Sequence, residues 1–302
     1  MSTKWKVLLG FAFFMAVVFA VGLIFGSDGK KDSFQPQNEF KLEPWIPIQI
    51  GPLDMSINKA VLYLLLASAL TVGTMVWISR RMHSKPNRTQ TAVELAYDLT
   101  RNNITGNNLD RKMSLKWFPF LATLFFWIWF SNMIGYLPLP TNTAHPVDIL
   151  GVEVPAFALY AATANISIPL VLTLVVWFSY HFEGVRAKGL FPYLKGWLPS
   201  GIEDMNFAFK AFVFVIECIS QLVRVISLSV RLFANILAGH LLLLFMGGGL
   251  AVLLGLAALG VLTFPMAFVF YVFEVGLVAT LQAFIFATLS AIYIGDAVAE
   301  SH

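Results

Sequence analysis

The chain alternates apolar runs with polar stretches, and the runs come in two lengths. Residues 5–25, 59–78, 118–136 and 162–182 each approach the ~20 apolar residues that carry a helix across a hydrocarbon core of about 30 Å. Residues 205–246 and 250–294 are overlong. At about 1.5 Å per residue the first of these would reach roughly 60 Å as one helix, so it must lie strongly tilted or bend. Gly247, Gly248 and Gly249 separate the two overlong runs and predict a hairpin, with a kink at Pro265 in its second arm. Residues 27–56 are polar and proline-rich, which predicts an external loop, as does the stretch from Leu137 to about Tyr160. Residues 91–116 are too polar to cross, but Val93, Ala96, Tyr97 and Thr100 share a helical face. That pattern predicts an amphipathic helix along the inner membrane surface. The expected fold is an all-α polytopic membrane protein, with several transmembrane helices and a strongly tilted, membrane-embedded helical hairpin in the C-terminal half. Its expected divisions are an N-terminal apolar anchor or signal segment over 1–26, an external loop over 27–58, and a membrane domain over 59–302.

Composition supports this reading. Hydrophobic residues make up 58% of the chain and charged residues 12%, which is too apolar for a soluble domain. The alternation expected of a membrane β-barrel is absent. The net charge of +3 is small. Basic residues gather at Arg80, Arg81, Lys85 and Arg88, and again at Arg186, Lys188 and Lys195. Both groups follow spans that return inward, so they report topology and not a nucleic-acid partner. Lys4 and Lys6 flank the start of the first run, and an uncleaved anchor with its N-terminus inside is expected. A signal peptide cleaved near residues 20–22 is the alternative. Cys218 is the one cysteine, so no disulfide forms within the chain and no cysteine-based metal site is plausible. Neither a glycine-rich phosphate loop nor a GxSxG or HExxH motif is present, and no cofactor or metal is expected.

Within the first overlong run, Lys210, Glu217, Arg224 and Arg231 recur every seven residues. A seven-residue step drifts only about 20° on a straight helix, so the four line one seam, widened by Ser220, Ser227 and Asn235. A charge at mid-membrane costs about 2.5–3.5 kcal/mol even on the cheapest insertion scale. The stripe must therefore face protein, water or a moving ion. Arg231 stays protonated and cannot pass a proton, but it can stabilise a carboxylate and block a passing cation. The structural alternative is an arginine that snorkels or pairs with Glu217. Glu217 suits a proton relay or a salt bridge with Lys210 or Arg224, and spacing does not separate the two. Lipid-headgroup contact or structural pairing suits Lys210 and Arg224. Ser220 and Ser227 can bond water or their own helix. His240 lies nine residues past Arg231 and points to nearly the opposite face. Glu274 on the following run is a candidate partner in a proton path, and a hydrogen-bonded core histidine is the structural alternative. Asn235 and Gln282 suit a water-lined cavity or helix-to-helix contacts.

These residues fall into a recognisable pattern. The stretch SLSVRLFANILAGH over 227–240 closely resembles the signature of subunit a of the rotary F-type ATP synthases. LQAFIF over 281–286, FSNMIGYLP over 130–138 and TAN over 163–165 resemble other segments of that family. The resemblance covers about residue 59 to the C-terminus, and makes the membrane domain a channel domain. It implies a proton-translocating stator subunit beside a rotating c-ring of small two-helix subunits, with two offset half-channels. It implies that Arg231 is the essential arginine facing the c-ring carboxylate. Asn235, His240, Glu274 and Gln282 would line the outer proton path, and Glu217, Ser220 and Ser227 the inner one. The implied partners are the c-ring, the b subunit of the peripheral stalk and the rest of the F1Fo complex, within lipid. The implied location is the bacterial plasma (inner) membrane, and the chain alone is not an enzyme. Histidine at 240 resembles the mitochondrial-type arrangement and not the enterobacterial one. Glu274 lies eight residues before Gln282, where the family pattern leads one to expect seven. One residue turns an ideal helix by about 100°, so Glu274 would point away unless a bulge near Gly276 restores the phase.

Two rival readings are weaker. A secondary ion transporter of another family predicts an inverted repeat, and the polar stripe occurs once. An intramembrane enzyme needs a clustered nucleophile and base or a metal motif. The charge asymmetry generates a test of sidedness. In a Cys218→Ser background, cysteines placed in 80–88 and 186–195 should label from the inner side of oriented vesicles, and those in 27–56 from the outer side. Inner-side labelling of Ser33→Cys would overturn this topology.

Overall fold

The computed structural model describes residues 42, 44–51, 53–81, 87–149, 152–198, 205–249 and 257–299. The apolar segment expected over residues 5–25 lies outside them. Five helices among the described residues are long and apolar enough to cross a membrane. The first spanning helix is α1 (Lys59–Arg81). An amphipathic α2 (Arg88–Asp98) follows and runs into a π-helical turn over Leu99–Gly106. Next comes α3 (Arg111–Gly135), then a 3-10 turn (Ala162–Ala164), α4 (Ser167–Lys188) and a short α5 (Leu190–Lys195). The C-terminal hairpin consists of α6 (Phe207–Leu244), α7 (Ala257–Phe273) and α8 (Ala279–Val298). The fold is that of an all-α polytopic membrane protein.

Local chemistry accounts for the helix ends. The Asn87 side chain accepts from the Gln90 amide at 2.8 Å and caps α2, and Asp110 accepts from the Lys112 amide at 3.3 Å to cap α3. At the end of α4, Gly189 has φ +85°, a conformation that favours glycine. The π-helical turn after α2 is held by the Thr105 hydroxyl, which donates to the Thr100 carbonyl at 2.7 Å.

The structure adds detail in the connections and in the C-terminal hairpin. Residues 137–160 are not plain loop: β3 (Leu139–Ile149) and β4 (Val152–Ala158) pair as an antiparallel hairpin. A smaller pair, β1 (Gln49–Ile50) and β2 (Leu53–Asp54), lies in the described part of the expected 27–58 loop. Both hairpins lie outside the spanning helices, where backbone groups need partners other than helix neighbours. Gly247–Gly249 do not stop the helix at once, since a π-helical turn over Phe245–Gly249 continues it. Pro265 lies inside α7 without ending it.

The core is where α3, α4, α6 and α8 meet. Ala279, Ala283, Ala287 and Ala291 are all fully buried and recur every fourth residue, making a ridge of small side chains. Such a ridge lets helices approach closely, which is how association is driven where lipid is as apolar as leucine. Leu121, Phe125, Phe126 and Ile128 of α3 fill the space beside it, with Leu228, Leu232 and Ile236 of α6. α1 packs on α3 through a separate cluster of Ala60, Tyr63, Ala67 and Ile134. At the C-terminal end of α3, a Cβ on Gly135 would stand 2.8 Å from the Ala161 Cα and 3.2 Å from its amide nitrogen.

That close approach gives a signed prediction. Gly→Ala inside an exposed helix stabilises by about 1 kcal/mol. At Gly135 the new methyl meets backbone, so Gly135→Ala should instead destabilise by about 1–3 kcal/mol. Thermal unfolding of the detergent-extracted protein decides the sign. An unchanged or raised midpoint would contradict this packing.

Candidate functional site

The helix α6 is the scaffold of the site. Its 38 residues span about 57 Å, nearly twice the hydrocarbon thickness. One face is covered: Gln221, Val225, Leu228, Leu232, Ile236 and Leu243 are buried against α3, α4 and α8. The other is open. Phe212, Ile216, Ile219, Val223, Ile226 and Val230 are 40–62% exposed. At 100° per residue, the seam of Lys210, Glu217, Arg224 and Arg231 runs along the border between these faces. Arg231 is exposed there, and makes no side-chain hydrogen bond or ion pair among the described residues. Asn235 and Ser227, one turn to either side, are exposed as well.

Towards the N-terminal end of α6 the covered side is polar. Glu217 accepts from the Gln221 side-chain amide at 3.0 Å, and Gln221 accepts from the Tyr180 hydroxyl of α4 at 2.9 Å. The Arg224 guanidinium lies 5.3 Å from the ring centre of Tyr293 on α8, a cation–π contact. Together with Trp197 these side chains line a cavity of about 220 Å3. Ser220 instead donates back to the Ile216 carbonyl at 3.0 Å.

Past Arg231 a second polar cluster is fully enclosed. His240 is buried, with its two ring nitrogens each 3.0 Å from a carbonyl oxygen, those of Ile236 and Gly135. A neutral imidazole donates to one of these and an imidazolium to both. Glu274 is buried and accepts from the Tyr136 hydroxyl at 2.9 Å. The Tyr136 ring lies against His240, with centroids 4.6 Å apart and planes at 32°. A tyrosine hydroxyl is uncharged at ordinary pH, so it serves here as a neutral donor. Its own carbonyl accepts from the Tyr271 hydroxyl at 2.9 Å. A Cβ on Gly239 would fall on the Glu274 carboxylate, 2.6 Å from its carbon. Glycine at 239 is what admits the carboxylate to this side of α6.

The spacing anomaly has a structural cause. Residues Glu274–Val278 form a π-helical turn between α7 and α8. A π-bulge carries one extra residue per turn and is frequent at functional sites. The eight-residue step from Glu274 to Gln282 therefore keeps both side chains buried in the bundle. The bulge contains Gly276.

The sequence-predicted residues thus divide into three groups. Arg231, Asn235 and Ser227 share the edge of the open face. Glu217 belongs to the cluster at the N-terminal end of α6, where Ser220 bonds its own helix. His240, Glu274 and Gln282 lie among buried side chains at the other end. His240 and Glu274 do not hydrogen-bond each other directly, because Tyr136 stands between them. Gln221 and Tyr136 are absent from the sequence-derived site. The i+4 spacing of Gln221 from Glu217 is a local signal for it. Nothing in the sequence links Tyr136 to a glutamate 138 positions later.

Comparison with known proteins finds relatives over most of the chain. The family model described as ATP synthase A chain matches residues 61–295. The chain is 34% identical to ATP synthase subunit a of Rubrobacter xylanophilus, over 83% of this chain and 88% of that protein. It is 33% identical to ATP synthase subunit a of Brucella ovis, over 88% of this chain and 98% of that one.

Proposed function

Because this chain belongs to the ATP synthase A chain family, we propose that it forms two offset proton half-channels beside a ring of small two-helix c subunits, with Arg231 between them. The placement of Arg231 carries the proposal. It stands on the edge of an apolar face that no described residue covers, with one polar cluster before it and another after it on the covered side. Along α6 the Arg224 end of the inner cluster is about 10 Å from Arg231, and His240 about 14 Å beyond it.

The chemistry follows from burial. A ring carboxylate that loses its proton in hydrocarbon is costly unless it is paired. A guanidinium is always charged and matches a carboxylate with parallel N–H donors. Arg231 would hold the deprotonated carboxylate as it passes, and its charge would repel a proton moving straight from one half-channel to the other. Outer-side protons would reach the ring past Glu274, His240, Gln282 and Asn235. Inner-side exit would run past Ser227 and Glu217, with Gln221 holding the Glu217 carboxylate and Ser220 beside it. The open apolar face of α6 suits the ring's helices. ATP chemistry belongs elsewhere in the F1Fo complex, to which the b subunit of the peripheral stalk would tether this subunit in a bacterial plasma membrane.

Arg231→Ala membranes should assemble the complex and hydrolyse ATP. They should lose ATP-driven proton pumping by at least roughly tenfold, equivalent to about 1.4 kcal/mol. Arg231→Lys should fail too, because an ammonium lacks the planar fork. Normal pumping in assembled Arg231→Ala membranes would falsify the assignment.

A further inference from the structure

We propose that Tyr136 is a positioning residue that makes His240 and Glu274 act as one unit. The proposal rests on the reading of those two residues as the outer proton path.

Two contacts converge on this side chain, which is 1% exposed, and two more fix the backbone beside it. Its hydroxyl donates to Glu274 Oε2 at 2.9 Å. The ring lies against the His240 imidazole at 4.6 Å between centroids. Its backbone is fixed from both sides: His240 Nε2 meets the carbonyl of the preceding Gly135 at 3.0 Å, and the Tyr271 hydroxyl donates to the Tyr136 carbonyl at 2.9 Å. The end of α3 is thereby tied to α6 through His240 and to α7 through Tyr271. On its far side the Glu274 carboxylate abuts Gly239, where a side chain would have to displace it. The carboxylate is held between a hydroxyl and a glycine, in a place set by Tyr136. Without the hydroxyl, Oε2 loses its hydrogen-bond donor among the described residues, and the contact with Gly239 alone does not orient the carboxylate towards His240. The phenol acts here by orientation, and no proton need pass through it.

Tyr136→Phe separates the parts of this account, since it keeps the ring against His240 and removes only the hydroxyl. Passive proton conduction would be measured in F1-stripped vesicles driven by a potassium diffusion potential, normalised to assembled complex by immunoblot. The expected result for Tyr136→Phe is a loss of about tenfold, as for a hydrogen bond to a charged group. The decisive readout is the cycle with Glu274→Gln. If the hydroxyl works through Glu274, the double variant conducts no worse than Glu274→Gln alone. A purely structural tyrosine predicts instead that the two losses multiply, and that result would overturn the proposal. So would wild-type conduction by Tyr136→Phe. Should Glu274→Gln and His240→Ala both leave conduction unchanged, the outer-path reading itself fails. That outcome is distinct from Tyr136→Phe being silent while the other two variants are impaired.

Discussion

Everything in this molecule depends on how one long helix keeps ionisable side chains in an apolar layer. α6 carries Lys210, Glu217, Arg224 and Arg231 on a single seam, and each charge left in hydrocarbon costs about 2.5–3.5 kcal/mol or more. The bundle lowers that cost by covering only one side of the helix. Glu217 and Arg224 turn towards partners on the covered side: an amide for Glu217 and an aromatic face for Arg224. Arg231 is left at the edge of the open face. A guanidinium cannot neutralise itself, and in the proposed reading its partner is the ring carboxylate.

The two polar clusters solve burial in different ways. The inner one surrounds a cavity of about 220 Å3, so its groups share space large enough for water. The outer one is tightly packed, and its polar groups are satisfied by one another and by helix-end carbonyls. Small residues make this possible. Gly239 admits the Glu274 carboxylate, and Gly135 lets the end of α3 touch the backbone at Ala161. The π-helical turn at Glu274–Val278 supplies the remaining adjustment by rotating Glu274 into the bundle. Backbone irregularity therefore sits where the polar groups must converge, and the regular alanine ridge of α8 lies farther along the same arm.

Much of this was legible in the sequence because it depends on local pattern. Run lengths place the described spanning helices, although α3 begins at Arg111, inside a stretch expected to be too polar to cross, and α4 runs to Lys188; the heptad spacing places Glu217, Arg224 and Arg231 on one seam. Features that depend on distant residues were not legible. The hairpin of β3 and β4 forms by pairing across a connection whose residues carry no clear alternation. The bond from Tyr136 to Glu274 joins elements far apart in sequence. The Glu274–Gln282 step shows the boundary between the two cases. The sequence exposes an extra residue, and a bulge near Gly276 is its conditional remedy, but only the packed structure decides which way the carboxylate turns.

The central claim is that the open face of α6 meets a ring helix bearing a carboxylate, with Arg231 at the edge of the contact. Oxidative cross-linking tests it most directly, in a Cys218→Ser background. Single cysteines would be placed on the open face at Val223, Ile226 and Val230, and on the covered face at Leu228, Leu232 and Ile236. Each would be paired with a cysteine scan of the ring helix in intact membranes. The account predicts disulfides to the ring subunit from the first three positions and none from the last three. Cross-links from Leu228, Leu232 or Ile236, with none from Val223, Ile226 or Val230, would contradict it.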